Sequence, residues 1–250
     1  TGLFEFGDES LNTDWYGDVL DGISAVNVAV TRWKSVPPEI PQSPFPHSRC
    51  NERKSFVKRN TNETKVTVKI ELDGSGKNSI ITGLPFFDHM VEQLSKHSLI
   101  DLDLKCFGDL KIDAHHTMED CGWAIGSAIK KALGDKKGIT RYSYNYLPMD
   151  ECLTRCCLDV SGRPWLIWNV FLPNVLIKNI ETEIFREFFQ AFSQSGGFTL
   201  HIENLYGTNT HHIIESCFKA LAISLRNAIN FDLDNLDNIP STKGTLLGNS

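Results

Sequence analysis

One short pattern, His-His-x-x-Glu, occurs twice in this chain, and its repetition constrains the fold more than any other feature. The first copy runs from His115 to Glu119 and the second from His211 to Glu215. The sequences that follow both copies carry apolar residues at the spacing of an amphipathic helix. We therefore predict an internal duplication in which each half contributes one helix that begins with this pattern.

The residue types and spacing of the pattern favour a metal site. Because an α-helix turns once in about 3.6 residues, each glutamate lies on the same face as its histidines. Adjacent histidines such as His115 and His116 point about 100° apart, so they would serve two ions rather than share one. Imidazole with carboxylate suits Mn, Fe or Zn. A single His-His pair is more often a helix cap or a core feature, but two copies with identical spacing favour metal binding.

The composition is that of an ordinary globular protein, with 250 residues, 41% of them hydrophobic and 22% charged. The net charge of −6 gives no support to nucleic-acid binding. No apolar run approaches the roughly 18 residues that span a bilayer, and residues 1–22 lack the features of a secretory signal or a transit peptide. Seven cysteines without C-x-x-C spacing indicate reduced thiols. We expect a protein that is not secreted, binds neither nucleic acid nor membrane, and acts in the cytoplasm or a plastid.

A proline-rich segment separates the start of the chain from the rest. Residues 35–49 contain five of the ten prolines, which predicts an extended linker or a wrapped arm. We therefore assign residues 1–52 to an N-terminal extension and residues 53–250 to one catalytic domain. The domain divides into two tandem repeats, at about 60–150 and 151–247.

Hydrophobic periodicity predicts strands followed by helices in both repeats. Strands are predicted at 64–72, 100–106, 110–113, 153–160, 165–171 and 198–206, and a further short strand follows the turn at 73–76 and ends at residue 81. Helices are predicted at 85–97, 115–134, 181–195 and 211–229. Strands followed by helices, twice over, predict an α+β domain with helices packed on one face of mostly antiparallel sheets.

Several motifs, in a constant order between about residues 59 and 247, resemble one known family. They are Gly83-Leu84-Pro85-Phe86-Phe87-Asp88-His89-Met90, the segment 108–113 before the first His-His-x-x-Glu, Ser161-Gly162-Arg163-Pro164, Thr199-Leu200-His201-Ile202 and Pro240-Ser241-Thr242-Lys243-Gly244. In this order they are similar to imidazoleglycerol-phosphate dehydratase, an enzyme of histidine biosynthesis. Residues 1–50 lie outside the resemblance.

The resemblance implies a fold, a cofactor and an assembly. The fold is a duplicated βββαα-type repeat of the ribosomal protein S5 domain 2-like kind. The cofactor is Mn²⁺, with two ions per active site. The assembly is a homo-oligomer of 24 subunits built from trimers, with its active sites between subunits and a small imidazole phosphate as substrate.

The resemblance also implies roles for individual residues. The implied metal ligands are His89, His115, His116, Glu119, His201, His211, His212 and Glu215. The implied substrate-binding residues are Glu63, Gln93, His97, Arg141, Arg163, Lys219, Ser241 and Lys243. Glu63 is the implied catalytic carboxylate, and Glu119 or Glu215 could instead carry protons while they bind metal. From the residues alone, Glu63 also fits a solvated position before a strand, and Lys219 fits a helix ion pair with Glu215.

The implied reaction removes water from D-erythro-imidazole-glycerol phosphate and gives imidazole-acetol phosphate. The proton to be removed is on a carbon beside the ring, and no neighbouring carbonyl makes it acidic. Lewis acids on the ring nitrogens and a positioned carboxylate would therefore be needed. A di-metal phosphohydrolase with the same nitrogen and oxygen ligands is an alternative, and so is a metal-storing assembly protein. The candidate phosphate-binding arginines and lysines argue against storage.

Overall fold

Strands and helices follow one another in two similar sets. The computed structural model describes residues 53–173 and 175–246, so the predicted extension at 1–52 lies outside the described residues. The first set contains β1 (Lys54–Asn60), β2 (Thr64–Glu71), β3 (Asn78–Ile81), α1 (Pro85–Ser98), β4 (Asp101–Gly108) and α2 (His115–Leu133). The second set contains β5 (Tyr142–Met149), β6 (Cys152–Asp159), β7 (Trp165–Asn169), β8 (Leu176–Ile177), β9 (Ile180–Glu181), α3 (Ile184–Gly196), β10 (Thr199–Tyr206) and α4 (Thr210–Ile229).

The two main sheets have the same topology. Their strand orders are β1-β2-β4-β3 and β5-β6-β10-β7, and β8 pairs separately with β9. In each main sheet the last strand of this order pairs in parallel, and the other neighbours are antiparallel. Leaving aside the small β8–β9 hairpin, each set runs β-β-β-α-β-α. Each repeat therefore has a fourth strand between its two helices, which the βββαα description omits. The second set begins with β5 at Tyr142, before the repeat boundary expected at about residue 150.

The four helices cover one face of each sheet and pack across the two repeats. Along β2 and β6, buried positions alternate with more exposed ones, which is the pattern of a sheet with one covered face. Helix α2 packs on β1 and β2, and α4 packs on β5 and β6. Helix α1 also contacts α4, and α2 contacts α3. Both helices of each repeat therefore pack against a helix of the other repeat.

Two glycines of α2 allow α3 to approach closely. A Cβ atom at Gly122 would overlap the carbonyl oxygen of Phe188, and one at Gly126 would overlap that of Phe192. The close approach surrounds a core of phenylalanines in which the ring of Phe218 lies 5.0 Å from that of Phe188 and 4.8 Å from that of Phe189. Aromatic residues of this size bury large apolar areas and dominate the stability of such a core.

Three local predictions differ from the structure. The predicted strand at 110–113 is wrong, because the backbone N–H of Ile112 donates to the carbonyl of Asp109 and closes a turn. Helix α3 begins at Ile184 rather than at residue 181, because the preceding residues form β9. Strands β1 and β5 were not predicted. Both are edge strands that alternate mainly between exposed and half-buried positions, so their apolar contrast is weak.

The described residues contain free thiols and no membrane-spanning helix. No helix in residues 53–173 and 175–246 has the length and apolar character needed to cross a bilayer. The six cysteines in the same residues are free, and five of them are buried. Burial raises the pKa of Cys156 to about 12, so this thiol stays protonated at neutral pH. These cysteines behave as small apolar core residues.

Candidate active site

The contact between α1 and α4 brings three predicted ligands together. His89 on α1 meets His211 and Glu215 on α4, and one donor atom from each lies within 4.8 Å of the other two. Glu215 Oε2 is 2.8 Å from His211 Nε2 and 3.7 Å from His89 Nε2. The two histidine side chains are 43% and 45% exposed, whereas that of Glu215 is 7% exposed. The two exposed imidazoles therefore converge on the buried carboxylate of Glu215, and one side of the group is open to solvent. We call these three residues the α1–α4 cluster.

Glu215 is held as a carboxylate by its neighbours. Its Oε1 atom lies 2.6 Å from Lys219 Nζ, which is the helix ion pair that the spacing allows. Burial acts to raise the pKa of Glu215, but hydrogen bonds from Lys219 and His211 oppose it, and the net shift is downward. Glu215 is therefore ionised at neutral pH, which is the form that binds metal.

Gln93 and His97 lie further along α1, near the same cluster. His97 Nε2 lies 3.3 Å from Gln93 Oε1. Burial lowers the pKa of His97, and the positive charge of Lys219 lowers it further. A neutral His97 beside an amide offers donors and acceptors for a polar ligand.

The first His-His-x-x-Glu copy opens α2, and its two rings have different partners. His115 Nε2 lies 3.6 Å from Glu119 Oε2. The Nδ1 atom of His116 is 3.0 Å from Asp109 Oδ2, and its Nε2 atom is 3.7 Å from Glu63 Oε1. The hydrogen bond with Asp109 raises the pKa of His116. The rings diverge as helical geometry predicts, and Glu63 lies beside the second one.

The second copy opens α4 and is also divided between partners. His211 belongs to the α1–α4 cluster. His212 instead faces the turn between β5 and β6, where its Nδ1 atom lies 2.7 Å from Glu151 Oε2 and its Nε2 atom lies 3.8 Å from Asp150 Oδ2. The hydrogen bond with His212 lowers the pKa of Glu151 to about 2, and the backbone N–H of Asn209 contributes to the same shift. The His212 imidazole is thus oriented by a charged carboxylate.

The sequence analysis assigned no role to Asp109, Asp150 or Glu151. Asp109 lies in a motif of the family resemblance, but the residues around it were predicted to be a strand. Asp150 and Glu151 form the turn between β5 and β6. Because β5 was not predicted, the hairpin that presents them was not recognised. The observed strand limits give a signal for one of them, because a glutamate stands directly before the second strand of each repeat, Glu63 before β2 and Glu151 before β6.

His201 lies apart from the other predicted ligands. It occupies an exposed position on β10, next to Cys157 of β6 and Ile167 of β7, with Tyr144 of β5 beyond Cys157. This row faces away from the helices. The only group of three or more possible ligands in the described residues is the one on α1 and α4.

Four of the predicted substrate-binding residues line one cavity of about 560 Å³. These residues are Arg141, Arg163, Ser241 and Lys243, and the space that they line is called the Arg141 cavity below. Three of the four carry positive charge, and phosphate is bound in proteins by such cations together with hydroxyl and amide donors. The cavity is therefore suited to a phosphate group.

The two arginines of the cavity are held very differently. Arg141 is buried, and its guanidinium donates two hydrogen bonds to Asp159, of 2.8 and 3.2 Å, and one of 2.7 Å to the carbonyl of Pro240. Arg163 is 65% exposed and reaches Asp159 only at 3.9 Å. Arg141 thus ties the C-terminal segment to the sheet, whereas Arg163 is free to contact a ligand.

Comparison with known proteins identifies the family. The family model described as imidazoleglycerol-phosphate dehydratase matches residues 82–225. Curated relatives of that name from Agrobacterium fabrum and Sinorhizobium fredii are 56% and 54% identical over 195 and 194 residues. Each match covers 78% of this chain, and 98% and 96% of the respective relative.

Solved structures of the same family share the fold. The crystal structure of imidazoleglycerol-phosphate dehydratase from Staphylococcus aureus matches with a TM-score of 0.65 and 35% identity, covering 71% of this chain and 99% of that one. The enzyme from Pyrococcus furiosus, solved in complex with (S)-C348, matches with a TM-score of 0.65 and 29% identity, covering 76% and 99%. The predicted α+β fold is confirmed. On these matches in sequence and structure, the chain belongs to the imidazoleglycerol-phosphate dehydratase family.

Proposed function

We propose that this protein removes water from D-erythro-imidazole-glycerol phosphate to give imidazole-acetol phosphate, as a hydro-lyase of histidine biosynthesis. The observation that carries the proposal is the match to relatives named for this activity, at 54–56% identity over almost their whole length. The site supports it with groups of two kinds. The α1–α4 cluster offers ligands for a metal ion, and the Arg141 cavity offers cations for a phosphate.

The chemistry of the α1–α4 cluster fits a divalent transition-metal ion. His89, His211 and Glu215 supply two imidazole nitrogens and one carboxylate oxygen around one point, a donor set that suits Mn²⁺. We infer two Mn²⁺ ions per active site. The remaining ligands of the two ions would be His115, His116, Glu119, His201 and His212. Such ions would supply Lewis acidity to the imidazole ring of the substrate, which would make the proton on the adjacent carbon easier to remove.

Glu63 is the proposed base. It lies in the turn between β1 and β2, and its side chain is 53% exposed. Its contact with His116 Nε2, at 3.7 Å, is longer than a hydrogen bond, so the carboxylate is available to accept a proton. A well-positioned general base contributes about 10²- to 10⁴-fold to rate.

The phosphate of the substrate would bind in the Arg141 cavity. Arg163 and Lys243 are exposed there, so they can move to the phosphate without breaking an internal hydrogen bond of their own side chains. Arg141, held by Asp159, would add a fixed positive charge. The cavity would hold the phosphate end of the substrate while Glu63 acts on the carbon beside its imidazole ring.

The exposed face of the second sheet supports an oligomer with sites between subunits. Tyr144, Tyr146, Trp165 and Ile167 are 73%, 53%, 64% and 42% exposed on this face, and His201 lies among them. Exposed apolar surface of this kind usually marks an interface. A neighbouring subunit that covers the face would contact His201, whose neighbours on the adjacent strands, Cys157 and Ile167, are not predicted ligands. We propose a homo-oligomer, expected to be the 24-subunit assembly of trimers.

An assay of the purified, Mn²⁺-loaded protein tests the activity. Incubation with imidazole-glycerol phosphate is expected to yield imidazole-acetol phosphate without release of inorganic phosphate. Release of phosphate from this substrate or from a generic phosphate ester, with no imidazole-acetol phosphate formed, would establish the alternative di-metal phosphohydrolase. Light scattering of the same sample measures the mass of the assembly.

Metal analysis of variants tests the ligands. Glu215→Gln and His211→Ala should each lower the bound Mn²⁺ per subunit. Glu71→Gln is the control, because Glu71 is a partly exposed carboxylate on β2 that pairs with Lys54 of the edge strand β1. Equal Mn²⁺ content in all three variants and the wild type would contradict the assignment.

A further inference from the structure

The hairpins that open the two repeats carry a glutamate at the same position. Glu63 is the residue before β2, and Glu151 is the residue before β6. These strands occupy the same place in sheets of the same topology. Each glutamate lies beside the second histidine of the His-His-x-x-Glu copy in its repeat, but the two glutamates contact different ring nitrogens. Glu63 is 3.7 Å from Nε2 of His116, whereas Glu151 is 2.7 Å from Nδ1 of His212.

The residue after the fourth strand of each repeat explains this difference. In the first repeat that residue is Asp109, directly after β4, and it binds the Nδ1 atom of the histidine. In the second repeat it is Gly207, directly after β10. A Cβ atom at Gly207 would lie 3.0 Å from both Cys152 Sγ and Ile213 Cγ1. A side chain there would force these neighbours to shift by a few tenths of an ångström. Glycine offers no carboxylate, and the Nδ1 partner of His212 comes from the hairpin instead.

We propose that Glu151 is a positioning residue that sets the tautomer and orientation of His212 for metal binding. A neutral imidazole carries one N–H, and a carboxylate at Nδ1 takes that N–H and leaves Nε2 with its lone pair. Carboxylate partners of this kind are typical of metal-binding histidines. The inference rests on the proposed dimetal function, and it assigns Asp109 the same task for His116.

Glu151 is itself held by the loop before α4. Its Oε1 atom accepts hydrogen bonds from the backbone N–H groups of Asn209 and Thr208, at 2.7 and 3.1 Å. Asn209 Oδ1 in turn accepts from the backbone N–H of His211 at 2.9 Å, which caps the helix. Both oxygens of Glu151 are thus engaged, and Glu151 is unavailable as a base. Of the two equivalent glutamates, only Glu63 retains that possibility.

The substitution Glu151→Gln tests the hydrogen bond with little change in shape. The Gln oxygen can keep the two bonds to Asn209 and Thr208, but its NH₂ group then faces His212 Nδ1. Because an NH₂ group donates, it favours the His212 tautomer that has its lone pair on Nδ1 and its proton on Nε2. A protonated Nε2 atom has no lone pair with which to bind metal. We expect the dissociation constant for Mn²⁺, measured by EPR of the free ion, to rise about 10- to 100-fold. The melting temperature of the metal-free protein should fall only slightly, because the two backbone hydrogen bonds from Asn209 and Thr208 are kept.

Asp150→Asn is the matched control. Asp150 is the neighbouring carboxylate, its side chain is 78% exposed, and it reaches His212 only at 3.8 Å. Its φ of 48° is one that Asn tolerates. The control removes the same charge from the same turn, so we expect Mn²⁺ affinity to change by about twofold or less.

A double-mutant cycle completes the test. In a His212→Ala background, Glu151→Gln should have no further effect on Mn²⁺ binding, because the two residues act through one hydrogen bond. The positioning role is overturned if Glu151→Gln binds Mn²⁺ as tightly as the wild type, if Asp150→Asn weakens binding equally, or if the effect persists without His212. If the wild type dehydrates the substrate and any of these results is found, the proposed function stands and only this inference falls. If the wild type binds no Mn²⁺, both fall.

Discussion

Replacement of Arg141 by Met should destabilise the protein far more than the same change at Arg163, although both arginines line one cavity. Arg141→Met removes two hydrogen bonds to Asp159 and one to the Pro240 carbonyl. The side chains of Arg141 and Asp159 are only 10% and 18% exposed, so solvent screens the pair weakly. Removal of one partner of a buried ion pair costs about 3–5 kcal/mol. With the residual exposure of Asp159, we expect about 3 kcal/mol.

The matched variant Arg163→Met defines the baseline. Its side chain is 65% exposed and its contact with Asp159 is 3.9 Å, which corresponds to a surface ion pair of about 0–1 kcal/mol. Arg141 has a φ of 73°. Met inherits this conformation, so the Arg141→Met change reports the side chain rather than the backbone.

Thermal unfolding of the Mn²⁺-loaded protein, at one protein concentration, measures the difference. For a domain of this size, about 1 kcal/mol shifts the melting temperature by roughly 2–4 °C. Arg141→Met should therefore lower it by about 6–12 °C and Arg163→Met by about 4 °C or less. Both should raise KM for the phosphate substrate. Equal shifts in the two variants would refute the reasoning that burial of the Asp159 pair makes Arg141 a structural anchor.

Three further predictions follow from individual contacts. Glu63→Gln should keep Mn²⁺ and substrate binding but lower kcat by about 10²- to 10⁴-fold; a normal kcat would exclude it as the base. Gly122→Ala should lower the free energy of unfolding by about 1–3 kcal/mol, because its methyl group overlaps the Phe188 carbonyl; an unchanged melting temperature would show that α3 moves freely. Burial lowers the pKa of Lys136 to about 8. Between pH 8 and about 10.5 the unfolded chain then binds more protons than the folded one, so stability contributed by this group rises with pH. Lys136→Met should remove that part of the rise in melting temperature, and an identical pH profile in the variant would contradict it.

Much of the fold was readable from local patterns. The long helices α2 and α4, and the central strands β2, β6 and β10, were predicted close to their observed limits because each has one strongly apolar face. The edge strands β1 and β5 escaped prediction because an edge strand with few buried positions has little periodic contrast. The turn at 110–113 was predicted as a strand because Leu110 and Ile112 alternate with polar residues, but both side chains are exposed and belong to no sheet.

The candidate site, like the fold, has features that the sequence indicated and features that depend on tertiary packing. The doubled His-His-x-x-Glu indicated metal binding from the sequence, because the side chains it places on one helical turn are set by the helix itself. Nothing local indicates that His89 lies beside Glu215, since that contact depends on α1 of one repeat packing against α4 of the other.

The sequence by itself determined the duplicated pattern, the α+β class and the residue types available for metal and phosphate. Only the tertiary structure decided which carboxylate serves which histidine. Glu63 and Glu151 occupy equivalent positions, yet Asp109 is present after β4 and the crowded Gly207 stands after β10. Asp109 therefore binds Nδ1 of His116 in the first repeat, and Glu151 binds Nδ1 of His212 in the second. The carboxylate of Glu63 remains without a hydrogen bond to its histidine. Side-chain roles in a duplicated fold thus depend on steric room between strands, which no short sequence pattern reports.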